Sequence, residues 1–385
     1  MIELSEQNAA DYLRQSGRAS DQEILVQSLS GGVANVVLKI FDMGAGEKVG
    51  TDLRSPAQKK LNKPDDRPNE GHCYVLKQPL PRFKTQAEWL VDIARVLVER
   101  DCMELLRTLL PANSVPDVLW FDEPNHILAI SCAPTDSVIW KKALLSGQTS
   151  TDAAMHAGML LAMMHSSTLH DLDAEKRYGD PKFFVQQRID PYLHATAEKH
   201  PEVRDRIHSL GNTLLNGRQC LIHGDYSPKN IFLVPHTGDV AHEIQANPRT
   251  RHSFPLSHLL LLDFEVAFYG HCAFDVATLI NHLLLKGFYH HKHWRPFMLM
   301  ADGFWQTYRN TADPELTRSA GAIGGHVLGA LMLARIDGKS PAEYLIPDTA
   351  RQDQVRRAAK AILTAKDPSL DQALDIVSGH FDDPD

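Results

Sequence analysis

The chain is poor in cysteine, and the few present form no pattern. Cys73, Cys102, Cys132, Cys220 and Cys272 are scattered, odd in number and without a C-x-x-C pair. The expectation is therefore reduced thiols in a cytoplasmic protein, with no disulfide framework and no thiolate zinc site. Long apolar runs are missing too: none approaches the ~20 residues that span a bilayer. The segment Met1-Ile2-Glu3-Leu4-Ser5-Glu6 lacks the basic and apolar regions of a signal peptide. Neither feature points to a membrane. Basic charge is not in surplus, since 40 Lys and Arg against 48 Asp and Glu leave a net charge of −8. That balance argues against broad nucleic-acid binding. A full G-x-G-x-x-G loop is absent as well.

What is present is ordinary globular material, with 43% hydrophobic residues in 385, enough for two or three domains. The first 133 residues read as mostly strand. Ile24–Leu29 and Val33–Ile40 flank Ser30-Gly31-Gly32 and suggest a hairpin. Residues 42–72 lack periodicity and read as a long mobile loop. Cys73–Lys77, Val115–Phe121 and Ile127–Cys132 are further strand candidates. Between them, Thr85 to about Leu110 carries helical spacing closed by Pro111. Ala133-Pro134 reads as a hinge. Beyond it helices are expected at 151–169, 183–198, 202–216, 273–286, 296–309, 315–336 and 351–364. Residues 235–257 read as a hairpin insertion. The expected fold is α+β: a β-rich N-terminal lobe over 1–133, a helical lobe over 134–385, and a ligand cleft between them.

Two acids and an amide carry the chemistry. In Leu221-Ile222-His223-Gly224-Asp225-Tyr226-Ser227-Pro228-Lys229-Asn230-Ile231, a carboxylate and a carboxamide stand five residues apart between apolar runs. Downstream, Asp263 ends the run Leu259–Leu262. One acid to aim a hydroxyl, with an amide oxygen and a second acid on Mg²⁺, is what phosphoryl transfer from ATP requires. Asp225 is the expected catalytic residue; Asn230 and Asp263 are the expected metal ligands. The bland alternative, polar residues in two turns, explains each residue singly but not the ordered set. His223 is expected to fix the loop, Gly224 to allow a strained turn, and Asp275 to cap a helix or brace the Asp225 loop.

Lys77, in the strand Tyr74–Gln78, is expected to reach the phosphates. Its chosen partner is Glu104, with Glu88 and Glu99 as alternatives. Gly31 and Gly32 offer backbone N–H groups to phosphates, although a plain hairpin turn accounts for them nearly as well. Ser131, Cys132 and Ala133 are placed as an adenine-binding linker by position alone. His282, His290, His291 and His293 cluster, but Gly287 interrupts them and no acid lies between. Packing or solvated histidines are expected there in preference to a metallohydrolase site.

The His223-Gly224-Asp225…Asn230 loop with Asp263-Phe264-Glu265 resembles the aminoglycoside phosphotransferase and choline kinase superfamily, which has a protein-kinase-like fold. Phe268-Tyr269-Gly270…Phe274-Asp275 and Val75–Pro81 are similar to its methylthioribose-kinase-like members. In that comparison Glu104 falls at the lysine-pairing position. The resemblance covers roughly residues 20–340. It implies ATP and Mg²⁺ as cofactors, and a small-molecule hydroxyl (sugar, amino alcohol or aminoglycoside-like) as acceptor. The family's late arginine pair is missing from Ala322-Ile323-Gly324-Gly325-His326-Val327, which leaves the acceptor unnamed. Arg335 and Asp337 face either a different substrate or solvent at a helix end; the second is the expectation. The competing reading is a non-catalytic nucleotide-binding module of the same fold. The oligomeric state stays open, with a homodimer among the options.

Overall fold

A computed structural model describes residues 2–19, 23–29, 34–43, 72–82, 91–236 and 256–381. The Gly31-Gly32 turn, nearly all of the 42–72 loop, the start of the 85–110 segment and most of the 235–257 insertion lie outside these residues. The chain divides into two compact units. One comprises Met1–Glu104 and Pro116–Ala133, the other Leu105–Val115 and Pro134–Asp385. The protein is α+β, with strands concentrated in the first unit and helices in the second.

The first unit is a five-stranded antiparallel sheet in the order β1-β2-β3-β5-β4. Its strands are β1 (Ile24–Ser28), β2 (Asn35–Asp42), β3 (His72–Pro79), β4 (Val118–Asp122) and β5 (Ile127–Ser131). Period-2 patterning sets the register: Leu38 and Ile40 of β2 face inward, and Leu38 sits opposite Leu76 of β3. These residues join Ile24, Tyr74, Ile127 and Ala129 in one core, sealed by Tyr12 and Leu13 of a short helix, Ala9–Gln15. That helix escapes a periodicity search because seven residues hold barely two turns. Its Tyr12 hydroxyl donates to Asp122 of β4 at 2.5 Å.

A correction to the sequence reading lies in this sheet. Cys73 and Cys132 form a disulfide, with Cα atoms 5.8 Å apart. Sequence separation hid the pair; the antiparallel register of β3 on β5, which sets Tyr74 opposite Ser131, brings their neighbours together. The remaining cysteines, Cys102, Cys220 and Cys272, are buried and take no part in a disulfide.

The second unit is built on long helices whose apolar faces meet. Ala273–Tyr289 is buried along almost its whole length. It packs against Arg295–Thr311 and Pro314–Asp337. The latter is apolar and long enough to cross a membrane, yet 78% of its most apolar window is buried within the unit. It is a core helix here. Thr151–Ser167 crosses Arg295–Thr311 closely enough that a Cβ at Gly158 would meet the Phe304 carbonyl at 2.6 Å. Small strands interrupt this helical body: β6 (Val138–Ile139), β7 (Cys220–Ile222), β8 (Ile231–Pro235), β9 (Leu256–Leu261) and β10 (Phe268–Gly270). β10 pairs with β7, and β8 lies between β6 and β9. The Leu261 N–H donates to the Ser114 carbonyl at 2.8 Å, tying Leu105–Val115 to this unit.

Candidate active site

β7 delivers the chain into the loop His223–Ser227, and a short turn at Pro228–Asn230 returns it to β8. Gly224 has φ +74°, and a Cβ there would strike the Val266 carbonyl oxygen at 2.4 Å. Only glycine fits this position. Asp275, at the start of the Ala273–Tyr289 helix, accepts the N–H of His223 at 2.6 Å and of Gly224 at 2.9 Å. It braces the loop from beneath.

His223 is locked from both ring nitrogens. The Asp225 N–H donates to Nδ1 at 3.2 Å, which leaves the proton on Nε2, and Nε2–H donates to the Leu262 carbonyl at 3.0 Å. Burial lowers its pKa, in keeping with a neutral ring. With both nitrogens committed, it serves neither as base nor as metal ligand. Instead it ties the Asp225 loop to the residue before Asp263. A second tie runs from the Leu262 N–H to the Asn230 carbonyl at 2.9 Å. These bonds set the three expected residues side by side within the helical unit.

Asp225 is 6% exposed. Its Oδ2 lies 2.9 Å from Arg188 Nη2 and 2.8 Å from Lys229 Nζ. Burial alone would raise its pKa, but the Arg188 and Lys229 charges outweigh it and hold the carboxyl well below the usual carboxylate range. A carboxylate so weakly basic suits aiming a hydroxyl better than removing its proton early. Asn230 donates Nδ2–H to the Asp225 carbonyl at 3.0 Å, which leaves its Oδ1 as the atom for a cation. Asp263 adopts a left-handed backbone, φ +68°, a conformation held only where its surroundings enforce it. The donor set is all oxygen, with no thiolate or free imidazole, and so fits Mg²⁺.

Arg188 escaped the sequence reading. It sits on Val185–His194, a π-wound segment containing Pro191, where a missing N–H disrupts the ladder. Its Nε also donates to the Gly224 carbonyl. Nothing in the Gln186-Gln187-Arg188 sequence reveals this; an arginine near an interrupted helix was the only signal. Lys229 is half exposed but reaches Asp225.

Arg335 corrects a second expectation. It does not lie on the surface: at 8% exposed, it donates to the Tyr192 hydroxyl at 3.3 Å and the Ser340 hydroxyl at 2.9 Å. Asp337 does sit at the helix end, paired with Arg356 at 2.8 Å and His200 at 2.9 Å. Of the clustered histidines, His290 has a packing role, stacked on Phe297 and bonded to the Leu144 carbonyl, while His293 is exposed.

In the sheet unit, Lys77 is buried and its Nζ lies 2.8 Å from Glu99 Oε1. Glu104, the chosen partner, is exposed. Both acids lie on the helix Arg95–Leu109, and five residues rotate a helix by about 140°, so only one of them can face β3. Glu88, like Gly31 and Gly32, lies outside the described residues. Ser131 spends its N–H on the Asp117 carbonyl at 2.9 Å, and Cys132 is the disulfide partner of Cys73. The linker expectation therefore rests on the backbones of Cys132 and Ala133.

Residues 62–240 match the family model described as phosphotransferase enzyme family. The methylthioribose kinase of Pectobacterium carotovorum subsp. carotovorum (strain PC1) is 24% identical over 307 residues, covering 72% of this chain and 65% of that protein. The methylthioribose kinase of Yersinia pseudotuberculosis serotype O:3 (strain YPIII) is 24% identical over 311 residues, covering 72% and 64%. The chain thus spans just under two thirds of the length of these curated relatives. A solved choline/ethanolamine kinase family protein from Mesorhizobium loti aligns with a TM-score of 0.49 at 13% identity, over 96% of this chain and 98% of that one. Over residues 62–240 the chain is similar to the phosphotransferase enzyme family, and over 72% of its length it is similar to the methylthioribose kinases.

Proposed function

We propose that the protein is an ATP-dependent, Mg²⁺-requiring kinase that phosphorylates a hydroxyl of a small molecule. The observation that carries this reading is the buried Asp225 carboxylate, held ionised by Arg188 and Lys229 beside the oxygen donors of Asn230 and Asp263. Asp225 orients the acceptor hydroxyl and takes its proton late, as the oxygen becomes bonded to phosphorus. Asn230 Oδ1 and the Asp263 carboxylate hold the metal, which when bound neutralises phosphate charge. In the sheet unit, Lys77, steadied by Glu99, meets the nucleotide phosphates, and residues 132–133 offer backbone groups to the base.

Non-catalytic modules of this fold usually lose a base or metal residue, and Asp225, Asn230 and Asp263 are all retained. The proposed setting is cytoplasmic, where ATP is made. Glutathione would hold Cys73 and Cys132 reduced there, and the cross-link would form only under oxidising conditions. The test is turnover of a panel of sugars, amino alcohols and aminoglycosides with Mg-ATP. Asp225→Asn should lower kcat by roughly 10²–10⁴-fold without loss of fold. Full activity in that variant would refute the assignment.

A further inference from the structure

Among the described residues, two buried basic side chains of the helical unit, Lys286 and Arg335, have no carboxylate within ion-pair distance. Lys286, on Ala273–Tyr289, is fully buried, donates to the His282 carbonyl at 3.0 Å, and lies 5.1 Å from the centre of the Tyr344 ring. That satisfies one of its three donors. Arg335, on the adjacent helix, spends Nη1 on Tyr192 and Ser340, and its buried Nε has no hydrogen-bond partner. The neighbouring acid, Glu343, is paired with Lys141. A buried charge without a counter-ion is costly, and burial together with the Lys141 and Arg335 charges pushes the Lys286 pKa well below its ordinary value, so that an anion is needed to hold it as the ammonium.

This pair belongs to the Asp225 neighbourhood. Tyr192 bridges the two regions: the Arg188 and Arg335 guanidinium carbons lie 5.7 and 5.9 Å from its ring centre, and Arg188 grips Asp225. Burial would raise the Tyr192 pKa, yet Arg335 and Arg188 pull it below the ordinary value, a sign of strongly positive potential. Burial, Lys286 and Arg335 likewise depress His282, which also senses Asp225 and Lys229. The charges acting on Arg188 include both Asp225 and Asp263, whereas those on Arg335 include Asp225 with Tyr192, Tyr344 and Glu343. Arg335 thus shares the Tyr192 ring with the arginine that holds Asp225.

We propose that Arg335 and Lys286 form a subsite for an anionic group, a carboxylate or a phosphate, carried by the acceptor. The inference rests on the kinase reading for its chemistry but not for its electrostatics. An acidic acceptor supplies the missing counter-charge, with the Arg335 fork and the Lys286 ammonium as donors and the Ser340 and Tyr192 hydroxyls alongside. A cationic acceptor would be repelled.

The test uses the full chain with Mg-ATP and matched acceptors: glycerol, glycerate and glycerol 3-phosphate; ribose, ribonate and ribose 5-phosphate; choline as the cation. An acidic member of a set should exceed its neutral partner at least tenfold in kcat/KM, and the acidic arms separate carboxylate from phosphate. Arg335→Gln and Lys286→Met should bring that ratio towards one, through a rise in KM for the acidic acceptor. Lys286→Met should also raise the Tm of the ligand-free protein, which loss of a merely structural lysine would not do. Binding is read separately, as the thermal shift caused by inorganic phosphate without nucleotide, which both variants should abolish. A phosphate shift lost in the variants, with no acceptor turned over, would sustain the subsite and overturn the kinase reading. Preference for neutral or cationic acceptors, or variants that raise KM for ATP instead, would overturn the subsite and leave the kinase standing.

Discussion

Asp275 receives the amide protons of His223 and Gly224 on separate carboxylate oxygens, at 2.6 and 2.9 Å. The acid that fixes the loop is thus fifty residues from it in sequence and fully buried. Asp275→Ala leaves two buried N–H groups unsatisfied, at about 1–3 kcal/mol each. Urea unfolding should show a loss of about 2–6 kcal/mol by that arithmetic, and kcat should fall even at temperatures where the variant is folded. Wild-type stability in Asp275→Ala would remove it from this role.

Arg188 tunes Asp225. While Arg188 and Lys229 hold the carboxyl well below its ordinary range, Asp225 stays ionised throughout the working pH. The acid limb of kcat/KM then lies below the range normally assayed. Arg188→Met removes one cation from a buried carboxylate, so the limb should move to higher pH and kcat should drop. An unshifted pH–rate profile would mean that Arg188 is only packing.

Glu99 and Glu104 give a paired prediction. Glu99→Gln breaks the buried contact to Lys77 and should raise KM for ATP by roughly tenfold, the scale of a lost 1–2 kcal/mol interaction. Glu104→Gln, on the exposed face, should leave it unchanged. The reverse pattern would restore the choice made from sequence.

Stability should fall with acid through His271. Burial lowers its pKa to about 4, while its Nδ1 accepts from the Ala273 N–H at 3.2 Å and Nε2 faces the Ser319 hydroxyl. Unfolded histidine titrates near 6.5, so between about 6.5 and 4 the unfolded state binds the extra proton. The stabilisation is complete above that window and is lost on descending through it, by an amount on the order of 3 kcal/mol. His271→Asn should flatten urea midpoints measured from pH 7 to 4.5. An equally steep decline in that variant would place the titration elsewhere.

Residues whose role is tied to local sequence were legible in advance. The His223–Asn230 loop announces itself because turn, acid and amide are contiguous, and Asp263 because it ends an apolar run. The resemblance resting on these motifs matched the family found by comparison, and most helices fell within a few residues of their expected bounds. What failed depends on rotation or on distant contacts. Glu99 and Glu104 share a helix and differ only in which face they occupy. Arg188 needs a π-wound segment to point inward, and Arg335 needs the chain after Gly338 to fold over it. Cys73 and Cys132 needed a strand register that neither one's local sequence encodes.

That last contact changes how the sheet unit behaves when cut. The disulfide joins residues 59 apart in sequence into a covalent ring, and Lys77 and Glu99 both lie within it. In the oxidised protein, a protease that nicks anywhere between residues 73 and 132 would release no fragment. The lysine and its glutamate would remain on one tethered body, and separation on a gel would appear only after reductant is added.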